Sequence, residues 1–137
     1  MQSTSHKRQH RRHGATAVEF ALAAPILFLV VFATMEFWQI NTFRNLASEA
    51  AYEAARRSVI PGVTAEEVQG VALEVMSCVG ASDTQVDVEP SVITNDTEKV
   101  TVTVSVPLDS NGWLITKFFP DNEINRQSTM MRELAKL

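Results

Sequence analysis

From Ala15 to Met35 the chain runs for 21 residues with Glu19 as its only charged side chain. As a helix this run would be about 31 Å long, close to the roughly 30 Å hydrocarbon core of a bilayer. Leu, Ile, Val and Phe fall on every side of it, which fits a helix surrounded by apolar material rather than a one-faced soluble helix. A core helix of a soluble domain is the competing reading, but the rest of the chain is too polar to wrap both faces of so long an element. Beyond Asn41 the pattern becomes one-sided. Phe43, Leu46/Ala47, Ala50/Ala51, Ala54 and Ala55 recur at three- and four-residue spacing and predict that the helix continues to Ile60, where Pro61-Gly62 stops it. Glu53 and Arg57 form a favourable i,i+4 pair on the other side. The alanine stripe fits core packing or a seam between subunits, and periodicity does not separate the two.

A second helix is signalled by Thr64-Ala65-Glu66-Glu67, a capping box with Thr64 as N-cap. It should run to about Val79 and stop at Gly80. Its expected apolar face is Val68, Val71/Ala72, Val75 and Val79, flanked by Leu73 and Met76. The period then changes to two. Val86 and Val88 alternate with polar residues, as do Val100, Val102, Val104 and Val106, and Thr94-Asn95-Asp96-Thr97 supplies a turn, so an antiparallel hairpin is predicted. Pro107 ends the second strand and Ser110-Asn111-Gly112 reads as a loop. Trp113-Leu114 and Phe118-Phe119 form an aromatic cluster on a short helix, read as a lid over the small core or as a partner-binding patch. Residues 124–133 are a candidate third strand. The predicted fold class is α+β: a long N-terminal transmembrane helix extending into a small head with a second helix and an antiparallel sheet.

Charge sharpens this picture. The 137-residue chain has a net charge of −4, yet Lys7, Arg8, Arg11 and Arg12 precede the apolar run with no acid among residues 1–13. A basic tip before the span and an acidic body after it orient the N-terminus to the cytoplasm. A cleaved secretory signal also begins with a basic region and an apolar run. No small-x-small site closes this run, which ends in the bulky Phe32-Ala33-Thr34-Met35-Glu36-Phe37-Trp38. Within the run, Glu19 sits where a carboxylate costs up to about 2.5–3.5 kcal/mol at the bilayer centre and less near the interface. It calls for a partner, or for snorkelling towards Arg11 or Arg12. Pro25 has no N–H and leaves the Ala21 carbonyl without its helical donor, favouring a kink. Glu36, with Trp38 nearby, marks the outer interface, where an aromatic is expected.

The sequence offers no catalytic constellation. Its three histidines, His6, His10 and His13, all lie in the leader. No phosphate loop and no Ser-x-x-Lys motif occurs. Cys78 is alone, so no internal disulfide forms. Asp83, Asp87, Glu89, Asn95, Asp96 and Glu98 could gather near the hairpin around Ca²⁺, but they lack loop-type spacing and read as a solvated acidic face. Four basic charges beside a span read as a topology signal rather than a nucleic-acid site. The expectation is a non-enzyme with no cofactor, no metal and no nucleic-acid partner.

The run from Arg12-His13-Gly14 through Glu19-Phe20 to Pro25-Ile26, followed by Met35-Glu36-Phe37, resembles the N-terminal signature of TadE-like proteins, minor pseudopilins of Tad/Flp type IV pilus systems. The pattern is a basic leader, Gly, four small or apolar residues, Glu, an aromatic, and an apolar helix containing Pro. It covers roughly residues 11–40, with His13 where the family often has Arg. The resemblance implies a pilin-like head and cleavage between Gly14 and Ala15 by a prepilin peptidase. It also implies that Glu19 and Phe20 dock against a neighbouring subunit, with Glu19 meeting that subunit's free α-amino group. The implied partners are the peptidase, other pilin and pseudopilin subunits, the Tad inner-membrane assembly machinery and the lipid bilayer. The implied organisation is a cleaved leader over 1–14, a transmembrane helix over 15–38, its continuation over 39–60 and a periplasmic or extracellular head over 61–137, all at the bacterial inner membrane. The alternative is an unprocessed, single-pass anchored scaffold or binding protein.

Overall fold

The computed structural model describes residues 7–113 and 122–132. Its elements are α1 (Lys7–Ser58), α2 (Ala65–Ser77), β1 (Gln85–Glu89), β2 (Lys99–Pro107) and β3 (Glu123–Met131). The predicted α+β class is therefore the observed one. The chain divides into two compact units, Met1–Met35 and Glu36–Leu137. The first consists, among its described residues, of the N-terminal part of α1. The second holds the rest of α1, α2 and the sheet.

In the second unit α1 buries one stripe. Glu36, Phe43, Ala47, Ala50 and Ala54 are buried at spacings of three, four or seven, and Ala51, Ala55 and Ser58 widen the stripe at its end. The five alanines are fully inaccessible and belong to one core with the buried faces of α2 and the sheet. That places the stripe in core packing. The lack of any side chain beyond Cβ lets a helix backbone lie close to its neighbours, so the stripe acts through shape more than through apolar area. The helix ends two residues before the expected Ile60. Ser58 Oγ turns back to donate to Ala55 O at 2.6 Å, and the N–H groups of Val59 and Ile60 donate to the carbonyls of Arg56 and Arg57, a tightened i−3 pattern. Ile60 precedes Pro61, which disfavours a helical conformation there. Gly62, at φ 83°, then reverses the chain in a region open to glycine at little cost. The ion pair on the outer side is Glu53–Arg56 at 3.7 Å, spaced i,i+3, rather than the expected Glu53–Arg57 pair. Both side chains are well exposed, so it contributes little.

Thr64 caps α2 as predicted, with its hydroxyl accepting the Glu67 N–H at 3.3 Å. The buried face differs from the expected one. It is centred on Val68, Ala72 and Met76, with Val75 and Val79 packed at its side, while Leu73 is exposed. The stripe follows a strict i,i+4 row, and the long flexible Met76 reaches the core that a shorter valine would not fill.

The sheet has the order β1-β2-β3, antiparallel throughout. Central β2 sends Val100, Val102, Val104 and Val106 into the core, all fully buried. Opposite them lie Val86 and Val88 on β1, and Ile124, Arg126, Ser128 and Met130 on β3. The predicted turn between the first two strands is held by Thr97 N–H to Thr94 O and Thr94 N–H to Thr97 Oγ1. Arg132 ties the end of β3 to the same turn by donating to Thr94 O at 2.7 Å. Gln69 of α2 donates to Val86 O and anchors that helix to the edge strand. Of the aromatic cluster, Trp113 is described and exposed, whereas Leu114, Phe118 and Phe119 lie outside the described residues.

The buried alanine row sets a testable limit. Ala50→Leu in the detergent-solubilised chain should lower unfolding stability by about 1–3 kcal/mol through overpacking. Glu49→Leu, one residue away and exposed, should change it little. Equal, small effects in urea unfolding would show that the row does not face the core.

Candidate functional site

Two groups of residues carry functional interest, one in each unit. In the first unit every residue from Gly14 to Met35 is exposed except Ala24, which is intermediate. Phe20 is 73% exposed, and large apolar side chains project from all sides of the helix from Val18 to Met35. This stretch contains the one described helix segment long and apolar enough to cross a membrane, and none of its apolar window is buried within the protein. Apolar area on this scale must be covered by lipid or by other chains. Thr34 satisfies its hydroxyl inside the helix by donating to Val30 O at 2.8 Å.

The predicted site residues fall within this helix. Gly14 and Ala15 are helical, and a side chain built on Gly14 would meet nothing within 4 Å. Glu19 is exposed one helical turn beyond Ala15. Pro25 lies inside α1, and the helix is assigned continuously through it. The structure brings Glu19 and Phe20 side by side on the helix with Gly14 and Ala15 a turn earlier.

The second group was not anticipated from sequence. Glu36, expected at an outer interface, is only 5% exposed and accepts the Trp113 N–H on Oε1 at 2.9 Å. A buried carboxylate is costly unless donors reach it, so this bond fixes where the loop after β2 must run. Three residues along α1, Gln39 donates to Asn111 O at 3.0 Å. Asn111 is itself buried. Its Oδ1 accepts the Ser82 N–H at 2.7 Å, and its Nδ2 donates to Ser82 O at 2.8 Å and Pro107 O at 2.7 Å. Immediately after Ser82, Asp83 adopts φ 56°, a left-handed conformation that Asp tolerates better than most residues. Leu108 N–H donates to Asn122 O at 2.9 Å, so the exit of β2 also meets the entry to β3. One amide side chain therefore joins the approach to β1 with the end of β2, while its backbone carbonyl takes a donor from α1.

The sequence held a partial signal for this junction. Glu36 falls seven residues before Phe43, in phase with the alanine stripe, so the spacing already placed it on the buried side. Asn111 in a Ser-Asn-Gly loop gave only a turn, because its partners at Ser82 and Gln39 are far away in sequence. Among the described residues no three of His, Cys, Asp and Glu gather in a way that could hold a metal ion. Cys78 is exposed, not buried as a small apolar residue would be.

Among the described residues these features are one apolar helix near the N-terminus, long enough to cross a membrane and suggestive of a membrane anchor, and an α+β unit that includes its C-terminal part. The family described as TadE-like protein matches residues 14–56, nearly all of α1 beyond the basic leader, so over this stretch the chain is similar to that family. The match begins at Gly14 and extends through the alanine stripe, further than the resemblance over residues 11–40. No curated protein and no solved structure matches the chain.

Removing the Asn111 amide tests the junction. Asn111→Ala removes the amide's three bonds to the partly exposed backbone of Ser82 and Pro107 and should destabilise the fold by about 1–3 kcal/mol in all. Ser110→Ala, at an exposed neighbour, should be near neutral. Comparable urea midpoints for the two variants would remove Asn111 from this role.

Proposed function

We propose that the protein is a minor pseudopilin-like structural component of a Tad-type pilus or secretion machine. In this reading a prepilin peptidase cuts between Gly14 and Ala15, and the mature chain assembles through its apolar helix with other pilin and pseudopilin subunits. The observation that carries the proposal is the exposed apolar helix that opens at Ala15 with Glu19 one turn in, at the point where the TadE-like match starts. After cleavage the new α-amino group of one subunit and Glu19 of its neighbour would be opposite charges in a low-dielectric setting, each costly alone and strongly attracted together. Such a pair fixes the stagger between subunits more than it adds net stability. Lys7, Arg8, Arg11 and Arg12 keep the leader cytoplasmic, which puts the peptidase site at the inner face of the inner membrane and the α+β unit outside.

Gly14 supports this reading in a second way. A protease needs its scissile bond in an extended backbone, whereas α1 is helical at that position. Glycine lowers the cost of opening the helix there by roughly 1 kcal/mol relative to alanine. The protein performs no chemistry of its own in this proposal. All three histidines precede the cut, so the mature chain would retain no imidazole base.

The unprocessed reading, a permanently anchored scaffold or binding protein, draws on one observation: α1 already begins at Lys7 and runs helical across Gly14. The N-terminal mass of the protein purified from membranes of cells with an active prepilin peptidase decides between them. A chain beginning at Ala15 is expected, and a chain retaining residues 1–14 would overturn the processed reading. Glu19→Ala should leave that cleavage intact and reduce incorporation into filaments or assembly complexes. Normal assembly of this variant, measured by subunit pull-down or filament counts, would remove the charge-pairing role.

A further inference from the structure

We infer that Trp113, held in place by Glu36, is a second aromatic anchor in the outer lipid interface beside Phe37 and Trp38. The inference rests on the membrane-anchored reading of α1. The side chains of Phe37, Trp38 and Trp113 are 68%, 70% and 64% exposed. Trp38 and Trp113 are the protein's two tryptophans, and the backbone of Trp113 is bonded to the residue two before Trp38. Glu36 follows directly on Met35, the last residue of the exposed apolar stretch. The Trp113 N–H is therefore bonded to the residue that follows that stretch directly in the chain.

The loop that carries Trp113 is not free to withdraw. Asn111 fixes it to Ser82 and Pro107, Gln39 binds its carbonyl, and Gly112 N–H donates to Leu108 O at 2.7 Å. Six well-formed hydrogen bonds, with that of Glu36, thus hold a loop whose large apolar side chain stays outside. An indole has an apolar body and one N–H, which suits the headgroup region better than either water or hydrocarbon. A buried carboxylate bonded to the backbone of this residue helps give the exposed ring a fixed place. The occupant argued for is the bilayer interface, because Phe37 and Trp38 follow directly on the exposed apolar segment and Trp113 is bonded to Glu36 beside them.

The two-tryptophan content makes the test direct. In the full-length chain, Trp38→Phe leaves Trp113 as the sole tryptophan. This variant is reconstituted in phosphatidylcholine vesicles, with co-flotation as the check on anchoring. Emission is compared between plain vesicles and vesicles carrying lipid brominated near the top of the acyl chains, and with aqueous iodide. Trp113 should show blue-shifted emission that is lost to the brominated lipid and resists iodide. Adding Glu36→Ala should move emission to the red and restore iodide quenching. If the chain floats but Trp113 is quenched by iodide and not by bromine, the loop faces water and the inference fails. Resistance to both quenchers would place protein over Trp113 and would overturn it as well. Failure to float would instead overturn the anchored reading of α1 on which the inference stands.

Discussion

One helix here has to satisfy two different surroundings, and the change occurs between Met35 and Glu36. Up to Met35 apolar side chains project on all sides and are exposed; from Glu36 the exposed and buried sides separate, and a single stripe is withdrawn into the protein's own core. The change is marked by a buried carboxylate. A buried glutamate at that point needs donors to offset its desolvation, and one of them is the Trp113 N–H of the loop after β2. The same side chain that closes the apolar stretch therefore opens the packed one.

Past that point packing is governed by shape. The stripe on α1 is built almost wholly of alanine, and the facing sheet is built on the four valines of β2. Alanine adds little apolar area but lets the helix lie close, and β-branched valine fills a pleated surface with few rotamers to lose. Such a core is sensitive to added volume on the helix side, since nothing there can be trimmed to compensate. Its polar boundary is handled by Asn111, whose amide uses both N–H groups and its oxygen on backbone partners from two segments. Small side chains set the spacing, and one amide sets the connections at the end of the sheet.

The elements legible in sequence were those in which a local period coincides with the tertiary demand. The alternating valines of β2 and the alanine row point inward in the structure as their spacing requires, and Thr64 caps α2 from an exposed position. β3 was harder to read because Arg126 and Ser128 occupy inward register positions opposite Val104 and Val102, which breaks the apolar alternation. These residues are only half-buried on an edge strand, where a long side chain can carry its charge outward along an apolar stem. Met76 replaced the expected valines at the centre of α2 because reach, not hydropathy, decided which side chain filled the gap. The Glu36–Trp113 and Asn111–Ser82 bonds were invisible for a plainer reason: they join residues 77 and 29 positions apart, and no local pattern encodes such a pairing.

The extent of the TadE-like match can be understood in the same terms. It runs over residues 14–56 and so includes two segments under different physical constraints. Residues 14–35 are exposed on nearly all sides. Within residues 43–55 one stripe, Phe43 with Ala47, Ala50, Ala51, Ala54 and Ala55, is buried in the core shared with the sheet and second helix. A shared membrane span alone would account for the first segment and not the second. The match takes in the buried alanine row as well as the exposed apolar run. The sheet and α2 lie beyond the matched residues and share one core with the buried alanine row, chiefly through the β2 valines, Val68, Ala72 and Met76.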